Sequence, residues 1–149
     1  MDCVFCKIIK GEIPSHKIWE DEKNLAFLSI FPNTEGFSVV ITKKHYSSDV
    51  FDLPENVLID LLLASKKVAQ LLNTKLEDVG RKGIIIEGFG INQAHIKLFP
   101  MHGTNMLKWK PIAPIVDKYF EKYEGYISSH DYKRVDNEKL SELVKKITE

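Results

Sequence analysis

Between Gln93 and Leu98 polar and apolar side chains alternate strictly. Ala94, Ile96 and Leu98 fall on one side of an extended chain, and Gln93, His95 and Lys97 fall on the other. The spacing predicts a strand with its apolar side on a core. Pro100, which has no N–H to give to a ladder, is expected to end it. Phe37–Thr42 is β-branched throughout its centre and predicts a buried strand. Lys17–Glu20 and Leu25–Ile30 predict two more, joined by the polar turn Asp21–Asn24. Gly83–Gly88 reads as a central strand that pairs with the His95 strand as a hairpin around the glycines. The period then changes. Leu58, Leu61, Leu62, Ala64, Val68, Leu71 and Leu72 form one stripe, with Lys66 and Lys67 outside it, so a long helix opens near Leu53-Pro54-Glu55-Asn56. Cys3–Lys10 suits a short helix stopped by Gly11 and Pro14. Pro114–Tyr123 suits another, and Asn137–Ile147 a charged, exposed C-terminal one. The pattern is that of an α+β fold: an antiparallel sheet, one long helix and a short C-terminal helix.

Composition narrows the class. The 149 residues are 44% hydrophobic and 28% charged, as expected of an ordinary globular protein in a single domain spanning 1–149, without internal repeats. Twenty-one basic and 21 acidic residues cancel, which argues against a general nucleic-acid binder. Val57–Leu63 is the longest mostly apolar run and Asp60 breaks it, so no membrane span is expected. The N-terminus lacks a charged leader followed by an apolar run, and the expected compartment is the cytosol.

The polar row is the first candidate for chemistry. His95 can act as a nucleophile or a proton carrier near neutral pH, Lys97 supplies charge, and Gln93 offers both a donor and an acceptor. Such a row suits an anion; equally, a polar strand face is commonly a solvated one. Gly88 and Gly90 let backbone N–H groups approach a phosphate, or simply mark a tight turn. Cys3 and Cys6 stand too close to the N-terminus for the strand that a redox C-x-x-C needs. They make either half of a zinc site, with His45 as the best third ligand, or two reduced thiols packed in a turn.

Several separated motifs together resemble the histidine triad (HIT) family. They are C-V-F-C-K-I-I-K-G-E-I-P-S, W-E-D-E-K-N-L-A-F-L-S-I, V-V-I-T-K-K-H and Q-A-H-I-K-L-F-P, in that order, covering roughly residues 3–102 and leaving 103–149 as a C-terminal extension. The resemblance implies a HIT-like α+β fold, usually a homodimer. It also implies a small-molecule nucleotide substrate, such as a nucleoside phosphoramidate or dinucleoside polyphosphate, attacked at its α-phosphate through a nucleotidyl-histidine. Against the family motif His-φ-His-φ-His-φ-φ, only the middle, nucleophilic position is kept, at His95. Gln93 and Lys97 stand where the outer histidines would. The resemblance makes Lys97, Gln93, Gly88 and Gly90 the phosphate-binding or orienting residues. Ser29 and Ile30 take the nucleoside positions, with Ser29 in place of a ribose-binding Asp. Cys3, Cys6, His45 and Gln93 map onto a zinc site whose last ligand is weak; the chemistry itself requires no cofactor. Two other readings stand beside the hydrolase or transferase: a nucleotide-binding protein with little or no turnover, and a small zinc-stabilised structural domain.

Overall fold

The computed structural model describes residues 2–125, 127–128 and 130–149. Helix α1 (Val4–Ile9) is followed by strands β1 (His16–Glu20), β2 (Asn24–Leu28) and β3 (Ser38–Thr42). Helix α2 (Glu55–Lys75), strands β4 (Arg81–Ile85) and β5 (His95–Met101), and helix α3 (Asn137–Thr148) complete the chain. The five strands form one sheet in the order β1-β2-β3-β5-β4, antiparallel at every pairing. Ser29 and Ile30 lie past the end of β2 and not within it.

Every residue of β2 and β3 is buried, because both faces of the sheet are covered. Ala26, Leu28, Val40, Ile96 and Leu98 face α2 and meet its stripe of Leu61, Ala64, Val68 and Leu72. Leu62 stands outside that stripe, 40% exposed, whereas Ser65 lies within it and donates to the Leu61 carbonyl. The opposite face carries Leu25, Phe27, Val39 and Ile41, over which α1 lays Cys3 and Phe5. The row Gln93, His95, Lys97 belongs to this second face. It is therefore not a solvated face.

Four expectations are corrected. Among the described residues β4 is an edge strand, paired with β5 alone, so Ile84 stays 47% exposed despite the run of isoleucines around it. β5 continues through Pro100, which pairs with Lys82. Pairing with β3 stops at Leu98, so beyond it one side of β5 has no ladder bond for a proline to break. Residues 114–123 form no helix: Ile115, Val116 and Tyr119 remain exposed, and without a core to receive them a short amphipathic pattern has nothing to hold it. Finally, α3 is more than an exposed charged helix. Asp136 caps it by accepting from the Glu138 N–H, and Leu140 and Ile147 enter the core it shares with β1 and α2.

Among the described residues, no helix is long and apolar enough to cross a membrane.

Candidate active site

β5 presents His95 and Lys97 to the α1 side, and α1 seals that side. The Phe5 ring stands edge-on to the His95 imidazole, 5.3 Å between centroids and 77° between planes, and edge-on to Phe27 as well. His95 is left 4% exposed. Its Nδ1 lies 2.6 Å from the main-chain oxygen of Gln93. A carbonyl only accepts, so Nδ1 carries the proton and the lone pair sits on Nε2. Burial pushes the imidazole below its ordinary pKa, with Lys97 acting the same way against the Gln93 carbonyl and Glu87. The result is an oriented imidazole with its lone pair on Nε2.

Gln93 joins this imidazole to the N-terminal cluster. Its side-chain Nε2 donates to the Thr42 carbonyl at 2.8 Å. Its Oε1 accepts from Cys3 Sγ at 3.0 Å and from Cys6 Sγ at 3.3 Å. Cys6 Sγ also lies 3.3 Å from His45 Nδ1, and the ligand atoms of Cys3, Cys6 and His45 all fall within 4.8 Å of one another. The three metal candidates named from sequence are thus brought together, with the Gln93 oxygen in the fourth place. Ligands bonded to zinc at about 2.0–2.3 Å stand roughly 3.3–3.8 Å apart, so the cluster would accept the ion with small shifts of its side chains. The two thiolates and the imidazole suit zinc; a neutral amide oxygen is a poor fourth ligand.

Lys97 does not offer an uncompensated charge. Its Nζ lies 2.5 Å from Glu87 Oε1, and the two side chains are only 17% and 8% exposed. The other Glu87 oxygen accepts from the Phe89 N–H at 2.8 Å. Sequence reasoning missed Glu87, although a signal existed. It is the only carboxylate between Gly83 and Gly103, and the register Ile85–Lys97, continued two residues, carries it to the His95–Lys97 face.

Gly88 has φ of +67°, and a Cβ there would meet Ser48 O at 2.7 Å, so its place is packed against the 46–49 loop. Asn92, also missed, pins the same loop by accepting from the Ser48 N–H at 3.0 Å. Gly90 is open and exposed. Ser29 and Ile30 stand two strands away from β5. Ser29 Oγ accepts from the Phe31 N–H, and Ile30 packs toward the α2 side of the sheet. The segment after Met101 returns across this region. Tyr123 meets Phe89 with ring centroids 5.6 Å apart, and Tyr132 and Val135 donate backbone N–H groups to Phe31 and Ile30.

With this geometry in hand, the family model of the HIT domain matches residues 10–104. Adenosine 5'-monophosphoramidase of Candida albicans is 32% identical over 149 aligned residues, covering 93% of this chain and 96% of that protein. An uncharacterized HIT-like protein of Methanocaldococcus jannaschii is 37% identical over 105 residues, 67% of this chain and 79% of its own length. In fold, the chain resembles the crystal structure of a hypothetical histidine triad nucleotide-binding protein from Sulfolobus tokodaii. The TM-score is 0.73 at 24% identity, covering 98% of this chain and 89% of the other.

Proposed function

The chain belongs to the HIT family, and from that premise we propose that it hydrolyses or transfers the nucleoside monophosphate group of a nucleotide conjugate, with His95 as nucleophile. The observation that carries this reading is the bond from His95 Nδ1 to the Gln93 carbonyl, which leaves the Nε2 lone pair available in a buried imidazole. Nε2 attacks the α-phosphorus and the bond to the leaving group breaks. Water then cleaves the resulting P–N bond and frees the monophosphate and His95. The step uses no cofactor. A nucleoside phosphoramidate is the substrate class favoured by the relatives named as phosphoramidases; a dinucleoside polyphosphate fits the same chemistry. Lys97 and the 86–92 loop lie beside the imidazole and would receive the phosphate.

Three further parts belong to this proposal. Cys3, Cys6 and His45 hold a structural zinc ion that ties α1 to the sheet and so keeps Phe5 over His95; their clustering supports this. The protein works as a homodimer, for which the open edge of β4 and the exposed Leu107, Trp109, Ile112 and Ile115 supply apolar surface. It acts in the cytosol, where thiols such as Cys3 and Cys6 stay reduced.

The pairing of Lys97 with Glu87 favours one second reading, a nucleotide-binding protein with little turnover, because the phosphate would meet a neutral pair instead of a bare cation. Steady-state turnover of an adenosine phosphoramidate by the intact protein and by His95→Ala separates the two. The proposal expects turnover that falls by several decades in the variant with nucleotide affinity within about tenfold. No turnover in either protein supports the binding reading, and equal turnover in both overturns His95 as the nucleophile.

A further inference from the structure

The Lys97 ammonium is held by the Glu87 carboxylate and offers an arriving phosphate charge and hydrogen bonds. Gln93 cannot titrate at all. The site as described can form the nucleotidyl-histidine but has no evident acid for a basic leaving group. Glu87 stands where one is needed.

We propose that Glu87 is the proton donor and acceptor of the reaction, switching between an ion pair with Lys97 and a neutral acid facing the phosphoryl group. The inference rests on the nucleotidyl-transfer reading above. Its grounds are geometric. Glu87 Oε1 is 2.5 Å from Lys97 Nζ, both groups are largely withdrawn from water, and Lys97 shares its strand face with His95. Both charges are near enough to act on the His95 imidazole, Lys97 disfavouring its protonation and Glu87 favouring it.

Among the described residues, Lys97 and His95 face Glu87 from β5, Tyr123 packs on the neighbouring Phe89, and the 86–94 segment carries no other ionisable side chain. A phosphate anion arriving at Lys97 therefore places a second negative charge beside a buried carboxylate. Two anions so close cannot both stay charged away from water, and the carboxylate takes up a proton.

The steps then balance. Lys97 keeps its charge and holds a phosphate oxygen. His95 Nε2 forms a bond to phosphorus as the P–N bond to the amine breaks, and the amine nitrogen takes the bonding pair and the Glu87 proton. Glu87, again a carboxylate, accepts a proton from the water that attacks phosphorus and releases His95. The proton leaves Glu87 when the monophosphate departs and the ion pair with Lys97 re-forms.

The test uses the full chain, its Glu87→Gln variant, and the Glu87→Gln/Lys97→Gln double variant as a neutral control for folding. Turnover is measured on an adenosine phosphoramidate of an alkylamine and on an adenylyl p-nitrophenyl ester, whose leaving group needs no proton. Glu87→Gln should lose at least about 100-fold in kcat/KM on the first and less than about tenfold on the second. Glu87→Asp should restore part of the loss. Equal losses on both substrates, or no loss on either, overturn the proposal. Calorimetry of AMP binding in buffers of different ionisation enthalpy supplies a readout independent of turnover. The intact protein should take up a proton at neutral pH, and Glu87→Gln and the double variant should take up none. If the intact protein turns over neither substrate, nucleotidyl transfer fails. Without that proton uptake, the switch proposed for Glu87 fails on its own account.

Discussion

The imidazole of His95 is held by the main-chain oxygen of Gln93, 2.6 Å from Nδ1, while the side chain of the same glutamine reaches the opposite way, to Cys3, Cys6 and Thr42. One residue thus sets the tautomer of His95 and bonds to the N-terminal cluster. Displacing the Gln93 side chain should be felt at His95 through the backbone that both share.

Phe5 should be the main reason that His95 stays dry. It is 6% exposed and touches both His95 and Phe27. Phe5→Ala should destabilise the fold by about 3–5 kcal/mol in urea unfolding, as large-to-small changes at buried aromatics do. It should also let the His95 pKa climb back toward its ordinary value, which an NMR titration of the ring protons reads directly. An unchanged titration would mean that α1 is not what desolvates the imidazole.

The zinc proposal turns on the fourth ligand. Gln93→His would place an imidazole nitrogen beside Cys3, Cys6 and His45 in place of an amide oxygen. Elemental analysis should find less than one zinc per chain in the natural protein and close to one in the variant. No zinc in either means that the two cysteines and His45 are only a hydrogen-bonded cluster.

His102 makes a pH-dependent clasp at the far end of β5. Its Nδ1 is 2.9 Å from Asp78 Oδ1 and its Nε2 is 2.8 Å from the Glu35 carbonyl. Both partners only accept, so both bonds are complete only when the ring is protonated. Burial opposes that charge, but the Glu35 carbonyl and the Asp78 carboxylate outweigh it, and the pKa is raised. A raised pKa contributes stability that is full below the unfolded value of about 6.5 and is lost as pH climbs through the folded value. Melting temperature should therefore fall across that window in the natural protein. In His102→Gln this component should disappear; a parallel pH profile in the variant would rule the clasp out.

α3 contributes to the core through Leu140, 3% exposed, and Ile147, fully buried. Leu140→Ala should lower stability by about 2–5 kcal/mol. A surface change on the same helix, Lys146→Ala, should stay within about 0.5 kcal/mol. Similar small effects from both would mean that α3 is a loosely attached extension.

Much of this was legible in the order of residues. β-branched Val39, Val40 and Ile41 announced a buried strand, and the spacing from Leu58 to Leu72 announced α2, because local pattern and burial agree there. Ile84, Ile85 and Ile86 announced a strand but not its place at the sheet edge, since hydropathy is silent on neighbours. Leu140 and Ile147 sit seven residues apart among charges, and only the packed fold shows that one side of that helix is in the core. At the site, alternation placed His95 and Lys97 on one face. It could not say that α1 would bury them, because the covering residue, Phe5, lies ninety positions away in the chain. Glu87 was hidden for the same reason on a smaller scale: its partner is reached by crossing a hairpin.

In the proposed reaction Nε2 of His95 forms a bond to phosphorus. Rapid quenching of the protein with an adenosine phosphoramidate in alkaline denaturant, followed by intact-mass measurement and peptide mapping at alkaline pH, reads that bond. The expected result is one adenylyl group per chain at early times, acid-labile as a phosphoramidate should be, mapped to the peptide containing His95 and absent in His95→Ala. Turnover with no adduct, or an adduct on any other residue, would rule out His95 as the nucleophile.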